Sequence, residues 1–511
     1  MAIDFEQEYG VNAGYVQELF DDWKADPAKV AESWQKIFER AGETPRQGGS
    51  GVAASGSAAA SGAAAAGASA SDDGFDASAD PELEPLVGIA GRIATNMEAS
   101  LELPVATSVR TLSAKILGEN RGVINEHMLV RAFGKASYTH IVAFALARAL
   151  GENKRVQSSY VEGGGKRYRR VPTHVNLGLA IDVPGPKGRM LVVPNIKAAE
   201  TLDFADFYRA FQDIVDRGRE GKLTSEDFAG TTCTLTNPGG FGTVMSVPRL
   251  MPGQGIIVAT GSIGVPPELG GMSKAALAQG AIGPVMTMTS TYDHRVIQGA
   301  ESGLLLKRVD ELLMGAEGFY DDIFKALRVP WQPARAGSDM RPPAGADEGE
   351  IQTTVWKLIQ AYRTRGGQLA DLDPLGYQPE LLESLDPSSY GLTVWDLDRT
   401  FLCGGMNGKE KMTLREILTT LRRAYCRRWT SEVSHITNRT RKLWLRERIE
   451  NDEHFEEFSH DERMGILTRL SRAENFEQFL ANTYVGNKRF SLEGGDTMIP
   501  ALAEIIERAA A

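Results

Sequence analysis

The sequence predicts an α+β fold for its most informative block, residues 81–330, with a core of mostly β-strands faced by helices. One observation is a pair of strand-like segments, "HVNLGLAIDV" and "RMLVVPNI", joined by the turn-rich "PGPKG". Another is a set of three further β-type segments, "TTCTLT", "GIIVATGSI" and "PVMTMTSTY". The third is a set of apolar residues at helical spacing before, between and after these strands.

Three helices are predicted in this block. Residues 137–150, "SYTHIVAFALARAL", are largely apolar and predict a buried helix. Apolar residues recur at the 3.6-residue spacing from Phe204 to Val215, and Gly221 lies just beyond as a stop signal. The last helix, about residues 298–314, is amphipathic and closes the block.

The N-terminal region divides into a helical segment and a tether. Residues 1–41 predict two short helices, the second with Asp26 as its cap and Pro27 at its first position. One face of that helix carries Val30, Trp34, Ile37 and Phe38. Two helices cannot bury this face alone, so we expect the segment to dock on something else. Residues 42–80 are dominated by Gly, Ala and Ser, which predicts a flexible, disordered tether.

The C-terminal part is predicted to be a separate, mostly helical region. Residues 331–349, "WQPARAGSDMRPPAGADEG", predict a second linker. Residues 350–511 contain helical patterns such as "MTLREILTTLRRAYCRRW". A length of 511 residues makes several domains the default expectation.

Composition excludes several classes of function. The formal net charge of −11 argues against binding of a phosphate backbone as the main role. Cys233, Cys403 and Cys426 form no CxxC pair, so neither a zinc site nor a disulfide framework is indicated. The acidic N-terminus is not that of a secretory signal, and no apolar run is long enough to span a membrane. We therefore expect a cytoplasmic protein.

A single histidine, His294, stands between Asp293 and Arg295 in "TMTSTYDHRVIQGAESG". It follows a β-type run and precedes a helix, where a rigid scaffold can hold a side chain in a cleft. The imidazole is a candidate acid–base catalyst because the reference pKa of histidine, about 6.5, lies near neutral pH. A structural, hydrogen-bonded histidine is the alternative, and we read His127, His140 and His174 in that way.

Two further stretches are candidates for the same site. Thr232, Thr234 and Thr236 alternate along one strand, so their hydroxyls share one face, and the Asn-Pro-Gly-Gly turn follows directly. Thr236 could donate to a developing oxyanion, although a solvated threonine face is the commoner case. The stretch "GGGKRYRR" is not a P-loop, and it predicts a solvated hairpin loop that could also attract an anionic cosubstrate.

These motifs resemble a known family. The stretches "DHRVIQGAESG", "TCTLTNPGGFGTVMSVPRLMPGQG" and "HVNLGLAIDV…RMLVVPNI" are similar to the catalytic domain of 2-oxoacid dehydrogenase acyltransferases, the E2 component, of the dihydrolipoyl succinyltransferase type. The stretches "YGLTVWDLDRTFLCGG" and "KRFSLEGGDTMIPAL" resemble the front of the E1 component of 2-oxoglutarate dehydrogenase, and the first 40 residues resemble its N-terminus. This order is similar to that of the fused 2-oxoglutarate dehydrogenase/decarboxylase of actinobacteria.

The resemblance implies a fold, a reaction and site residues. The fold would be the chloramphenicol-acetyltransferase-like one, a mixed sheet with helices, in a trimer with active sites at subunit boundaries. The reaction would move a succinyl group between dihydrolipoamide and coenzyme A in the tricarboxylic acid cycle. His294 would exchange the thiol proton and Thr236 would stabilise the oxyanion, while Asp293 and Arg295 would hold the loop. Stand-alone acyltransferases carry Asp four residues after the histidine, where this chain has Gln298.

The resemblance also implies partners and two departures. No lipoyl domain is found, so a lipoylated E2 subunit would supply the lipoyl group in trans, beside E3 dihydrolipoyl dehydrogenase and complete E1 chains. The thiamine diphosphate motif of E1 is absent, so no site for thiamine diphosphate or Mg²⁺ is expected and the chain alone should not decarboxylate 2-oxoglutarate. Two alternatives stay open: a non-catalytic scaffold for E1, E2 and E3, and a chloramphenicol-type O-acetyltransferase.

Overall fold

The computed structural model describes the chain in several stretches. These are residues 16, 19–20, 22–24, 26–27, 30 and 32–40, and then 89–130, 134–185, 188–251, 253–338, 348–373, 382–451, 458–492 and 494–510. The predicted tether at 42–80 lies outside the described residues. None of the described helices is both long enough and apolar enough to cross a bilayer.

Six strands form the central sheet of the predicted α+β block. The strands of the structure are β1 Val105–Ser113, β2 Ser159–Gly163, β3 Lys166–Arg170, β4 Leu177–Leu179, β5 Ile181–Gly185, β6 Gly188–Val192, β7 Asn195–Ile196, β8 Cys233–Thr236, β9 Ile256–Thr260, β10 Val285–Asp293, β11 Thr400–Leu402 and β12 Lys411–Thr413. The order in the sheet is β1-β10-β9-β8-β4-β7. Strand β8 runs parallel to β4 and β9, and the other pairs are antiparallel. The expected mixed sheet is therefore confirmed.

Helices pack on this sheet and continue to the end of the chain. They are α1 Glu32–Arg40, α2 Ile89–Leu101, α3 Lys115–Val130, α4 Tyr138–Glu152, α5 Phe204–Arg219, α6 Ser225–Phe228, α7 Lys274–Gln279, α8 Gly299–Leu313, α9 Phe319–Leu327, α10 Glu348–Arg365, α11 Leu414–Tyr425, α12 Arg439–Ile449, α13 His460–Thr483 and α14 Met498–Ala510. Helix α4 is buried along most of its length and packs against α5 and α8. The three helices predicted in this block are confirmed as α4, α5 and α8.

The two strands predicted around "PGPKG" are each broken in two, which corrects the prediction. Strands β4 and β7 lie in the central sheet, whereas β5 and β6 form a separate two-stranded hairpin. Pro194 lacks a backbone N–H, so it cannot donate in a sheet ladder, and β6 ends before it at Val192. The carbonyl of Pro194 still accepts from Leu179 N at 2.8 Å, which leads the chain back into the sheet.

The N-terminal helical segment lies against the β5–β6 hairpin. Its buried aromatic residues, including Trp23, Trp34 and Phe38, share a small core with Val183 and Phe228. The indole Nε1 of Trp34 donates to the carbonyl oxygen of Leu223 at 2.9 Å, which satisfies its only polar atom. The apolar face of the N-terminal helical segment, for which the sequence indicated no partner, is therefore covered by the α+β block of the same chain.

The first part of the predicted linker 331–349 packs against the α+β block. Trp331 is buried and meets His127 of α3 edge-on, with ring centroids 5.9 Å apart. The side chain of Asn120 accepts from Ala334 N at 2.7 Å and donates to Ala334 O at 2.9 Å. A bulky indole and a paired peptide make this stretch part of the fold.

Residues from Glu348 onwards are mostly helical, as predicted, and their first part is joined to the α+β block. Lys115 of α3 pairs with Asp398 at 2.5 Å, and Glu119 of α3 pairs with Arg415 of α11. A cavity of about 370 Å³ lies at this junction. Helix α13, by contrast, has no buried residue.

Candidate functional site

The His294 loop follows the last residue of β10. The backbone N–H of Asp293 donates to Gly255 O at 3.0 Å, and that of His294 donates to Pro104 O at 2.9 Å. The imidazole of His294 is exposed, and its ring lies 5.5 Å from that of Tyr292. A fixed backbone with an exposed ring is an arrangement in which an imidazole can exchange a proton with a bound thiol or hydroxyl.

A two-point ion pair flanks the histidine. Arg295 Nη2 donates to Asp293 Oδ2 at 2.7 Å, and Arg295 Nε donates to Asp293 Oδ1 at 2.9 Å. The carboxylate is 3% exposed, so it is well shielded from water. Its hydrogen bonds raise the pKa of the Arg295 guanidinium above the usual value. The pair holds the residues before and after His294 to each other.

The basic hairpin predicted at "GGGKRYRR" consists of β2 and β3, and it lies beside this loop. Gly164 and Gly165 form its turn with positive φ values of 60° and 70°. The guanidinium carbon of Arg295 lies 3.9 Å from the centre of the Tyr160 ring. Arg169 Nη2 donates to the carbonyl oxygen of Val296. The hairpin is therefore not simply solvated, because one face of it contacts the loop.

Gln298 is the N-cap residue of helix α8. Its backbone N–H donates to Glu301 Oε2 at 2.8 Å, and its side chain is exposed. An amide at this position can orient a neighbour by hydrogen bonding but carries no charge.

Thr236 is the last residue of β8. The two threonines before it on the same face are already occupied, since Thr232 donates to Gln157 Oε1 at 2.7 Å and Thr234 donates to Gln254 Oε1 at 3.0 Å. Among the described residues we find no hydrogen-bond partner for the half-buried Thr236 hydroxyl. It is the one member of the series whose hydroxyl remains available to an incoming group.

The turn after Thr236 is tightly held. Asn237 Nδ2 donates to Thr139 Oγ1 at 2.7 Å, while Asn237 Oδ1 accepts from Gly239 N at 3.1 Å. A Cβ atom at Gly239 would come within 2.3 Å of the backbone of Gly261, so only glycine fits there. Thr236 is thus positioned by a rigid strand end and a rigid turn.

Strand registers place Thr236 and His294 at opposite ends of the sheet within one chain. Thr236 is level with Ala259 on β9, and Ala259 pairs with Thr289 on β10. His294 lies five residues beyond Thr289, about 17 Å along the strand, and two strand spacings add about 10 Å sideways. A single chain therefore does not bring the two candidate residues together.

Two of the histidines that we read as structural, His140 and His174, are hydrogen-bonded within the protein. His140 is buried, with Nδ1 at 2.7 Å from Ser137 Oγ and Nε2 at 3.0 Å from Gln212 Oε1. Burial lowers its pKa to about 4. His174 Nδ1 lies 3.1 Å from Glu200 Oε1. Within the described residues no group of three or more potential ligands could hold a metal ion.

Sequence reasoning missed the contacts that support the His294 loop. Tyr160 and Arg169 lie more than 120 positions before it, and Gly255 lies nearly 40 positions before it. Neither residue type nor spacing links such distant positions in a single sequence. The glycine offered a weak signal, because it stands in a turn that precedes a strand.

Two family models match the chain. Residues 78–319 match the catalytic domain of 2-oxoacid dehydrogenase acyltransferases, and residues 8–45 match the 2-oxoglutarate dehydrogenase N-terminus. The first match includes β8, β10 and the turn and loop that follow them. The predicted block, 81–330, begins three residues after the start of this match and ends eleven residues after its end.

Relatives extend the similarity to nearly the whole chain. The "2-oxoglutarate dehydrogenase E1/E2 component" of Corynebacterium glutamicum is 43% identical over 98% of this chain. A "multifunctional 2-oxoglutarate metabolism enzyme" of Mycolicibacterium vanbaalenii is 42% identical over 98% of this chain. The chain spans 43% of the length of each of these relatives.

A solved structure of a probable dihydrolipoamide acetyltransferase from Listeria monocytogenes covers 48% of this chain and 96% of its own length, at 24% identity and a TM-score of 0.39. The assignment rests instead on the two family matches and the relatives. Residues 78–319 therefore carry the catalytic domain of 2-oxoacid dehydrogenase acyltransferases, and residues 8–45 carry a 2-oxoglutarate dehydrogenase N-terminal segment.

Proposed function

We propose that the chain transfers a succinyl group between dihydrolipoamide and coenzyme A, in a cytoplasmic 2-oxoglutarate dehydrogenase complex of the tricarboxylic acid cycle. The exposed imidazole of His294, on a loop held at both sides, carries the proposal. The names of the relatives refer to 2-oxoglutarate, which supports succinyl as the acyl group in this proposal.

Proton transfer is the first requirement of this reaction. A thiol has a pKa of about 8.5, so at neutral pH most of coenzyme A is protonated and a poor nucleophile. In the proposed mechanism the His294 imidazole takes the thiol proton as the sulfur attacks the carbonyl carbon of succinyl-dihydrolipoamide. A carbon–sulfur bond to coenzyme A forms, the bond to the lipoyl sulfur breaks, and the imidazolium returns the proton to that sulfur.

The second requirement is a donor for the tetrahedral oxyanion. In the proposal the Thr236 hydroxyl fills this role, while Asp293, Arg295 and the Gln298 cap hold the loop. Because Thr236 and His294 lie at opposite ends of one sheet, the complete site needs two chains. This supports a homotrimer with active sites at the subunit boundaries.

An exposed apolar loop supports association of copies. Directly after the Thr236 turn, four large apolar side chains are between 50% and 84% exposed in the single chain: Phe241, Val244, Met245 and Val247. A contiguous exposed apolar segment is typical of a protein–protein interface. Its position beside Thr236 fits a second copy that brings His294 to this end of the sheet.

The proposed partners follow from the substrates. A lipoylated E2 subunit would supply the lipoyl group, E3 dihydrolipoyl dehydrogenase would reoxidise it, and complete E1 chains would load it. The sequence lacks the motif that the resemblance implies for thiamine diphosphate binding, so the proposal includes no decarboxylation step.

Complementation between two inactive variants tests the proposal. Succinyl exchange between coenzyme A and dihydrolipoamide is measured for the wild type, for His294→Ala, for Thr236→Val and for an equimolar mixture refolded together. We expect each variant to be nearly inactive and the mixture to regain activity at about one site in four, because a productive boundary needs His294 from one variant and Thr236 from the other.

Two results decide against the proposal. A mixture no more active than its components contradicts a site shared between copies. A wild type without exchange activity that still assembles with lipoylated E2 favours the non-catalytic scaffold. His174→Ala, which removes an exposed histidine elsewhere, is the matched control and should retain full activity.

A further inference from the structure

The β2–β3 hairpin contacts both flanks of the His294 loop and leaves the imidazole itself free. We propose that this hairpin is the positioning element of the loop, with Arg169 and Tyr160 as its positioning residues. The inference deepens the proposed function and rests on it, since a positioned imidazole matters only if His294 exchanges a proton.

The first contact acts through the Asp293–Arg295 ion pair that flanks His294. The Tyr160 ring covers the Arg295 guanidinium at 3.9 Å, and the same guanidinium binds both oxygens of Asp293. Stacking on an aromatic face restricts a guanidinium that is 34% exposed. Tyr160 therefore limits the motion of the residue on each side of His294.

The second contact lies at the far end of the loop. Arg169 Nη2 donates to the Val296 carbonyl, and Arg169 Nη1 lies 4.0 Å from Glu301 Oε1. Glu301 in turn accepts from the backbone N–H of Gln298 at the start of α8. Arg169 thus contacts the loop at Val296, two residues after His294, and also lies close to Glu301 of the following helix α8.

The root of the hairpin is held to the same loop through one glycine. A Cβ atom at Gly255 would lie 2.1 Å from the carbonyl oxygen of Ser158, the residue before β2. The carbonyl of Gly255 accepts from Asp293 N at 3.0 Å. This close approach fixes the distance between the hairpin root and the loop, so the two move together.

A competing role for the hairpin is attraction of an anionic cosubstrate, and the side chains separate the two roles. Arg167 is 80% exposed, and in the described part of the chain its one ion-pair partner is Glu162 on the facing strand, at 3.7 Å. Arg169 is 25% exposed and is engaged with the loop. Both side chains stand on one face of β3, so Arg167→Gln is a matched control for Arg169→Gln.

Steady-state kinetics of the full chain test the inference. We expect Arg169→Gln to lower kcat about tenfold, because a small displacement of a reacting group is costly, while KM for coenzyme A stays within about twofold. Arg169→Lys should recover part of kcat, since an ammonium can still donate to the Val296 carbonyl. Arg167→Gln should behave as wild type.

Chemical modification gives a readout that needs no activity. The rate of carbethoxylation of His294, resolved by peptide mass spectrometry as a function of pH, reports how the imidazole is held. We expect Arg169→Gln and Tyr160→Leu to raise the rate severalfold, and Arg167→Gln to leave it unchanged. Circular dichroism of each variant confirms that it is folded.

Three outcomes overturn the inference. Wild-type kinetics and modification in Arg169→Gln would mean that the contact does not position the loop. A raised KM with unchanged kcat would make Arg169 a cosubstrate-binding residue, and equal losses in both glutamine variants would indicate a general charge effect. An inactive wild type would instead contradict the proposed function. The modification rates would still test whether the hairpin positions the His294 loop.

Discussion

His294 and His140 are the same side chain in two opposite settings. His140 lies inside helix α4 with both ring nitrogens bonded, and its ring centroid is 4.1 Å from that of Phe211. His294 lies at a strand end with its backbone fixed and its ring exposed. The difference teaches that hydrogen bonds to the ring nitrogens fix His140, whereas the backbone and the flanking residues fix His294 and leave its ring nitrogens exposed.

The electrostatic settings follow from these contacts. Burial lowers the pKa of His140 to about 4, so at neutral pH the ring is neutral. Its Nδ1 accepts from Ser137 N at 2.9 Å, and a proton on that nitrogen would break this bond. Around His294 the charges lie on the flanking Asp293 and Arg295, which pair with each other. One histidine is bonded inside the fold, while the ring of the other is exposed.

Removal of the His294 imidazole should have the largest effect on activity. We expect His294→Ala to lower kcat for succinyl exchange by about 10²- to 10⁴-fold, the usual contribution of a general base. The free energy of unfolding, measured by urea titration, should stay within about 0.5 kcal/mol of wild type, because the side chain is exposed. Retained turnover in this variant would end the catalytic role of His294.

Loss of the Thr236 hydroxyl should have the next largest effect. Thr236→Val keeps the size of the side chain and removes the oxyanion donor, so we expect kcat to fall by about 10²- to 10³-fold. Thr236→Ser keeps the hydroxyl and serves as the control. Equal kinetics for the valine and serine variants would show that the hydroxyl is not used.

The pH dependence of stability should expose His140. Its pKa is lower in the folded state than the unfolded value of about 6.5, so the unfolded chain binds more protons between these values. The contribution of the neutral ring is present above about pH 6.5 and is lost as the pH falls towards 4. It amounts to up to ~3 kcal/mol.

Urea titrations of wild type and His140→Gln at several pH values measure this contribution. The glutamine variant has no titrating group at this position, so it should lose less stability on acidification. Parallel curves for the two proteins would refute the assignment. Exchange activity per folded molecule should be the same in both.

The smallest effect is expected at the cap of α8. Gln298→Asp places a carboxylate four residues after His294, the spacing that the resemblance implies for stand-alone acyltransferases. Added negative charge on this segment favours the charged form of the imidazole. We expect a change in kcat of only a few-fold, with the pH optimum moved upwards. Gln298→Asn, which keeps the side chain neutral, is the control. An unchanged pH optimum in Gln298→Asp would show that the charge of residue 298 does not affect the His294 imidazole.

Much of the fold was predictable because its signals are local. The buried helix α4, the amphipathic helix α5 and the strands that end at Thr236 and Asp293 each followed from apolar spacing and turn residues. The break at Pro194 could have been foreseen from its missing N–H, although the apolar run around it suggested one strand. The docking of Trp34 was expected, but not the surface that it meets.

By itself the sequence determined which residues are candidates: an imidazole after one strand, a hydroxyl at the end of another, and an apolar helical face in need of cover. Only the tertiary structure decided how they relate. Strand order and register separate Thr236 from His294, and the β2–β3 hairpin meets the His294 loop from more than 120 positions away. The physical reason is that side-chain spacing reports local periodicity, whereas contacts between distant segments depend on how the whole chain packs.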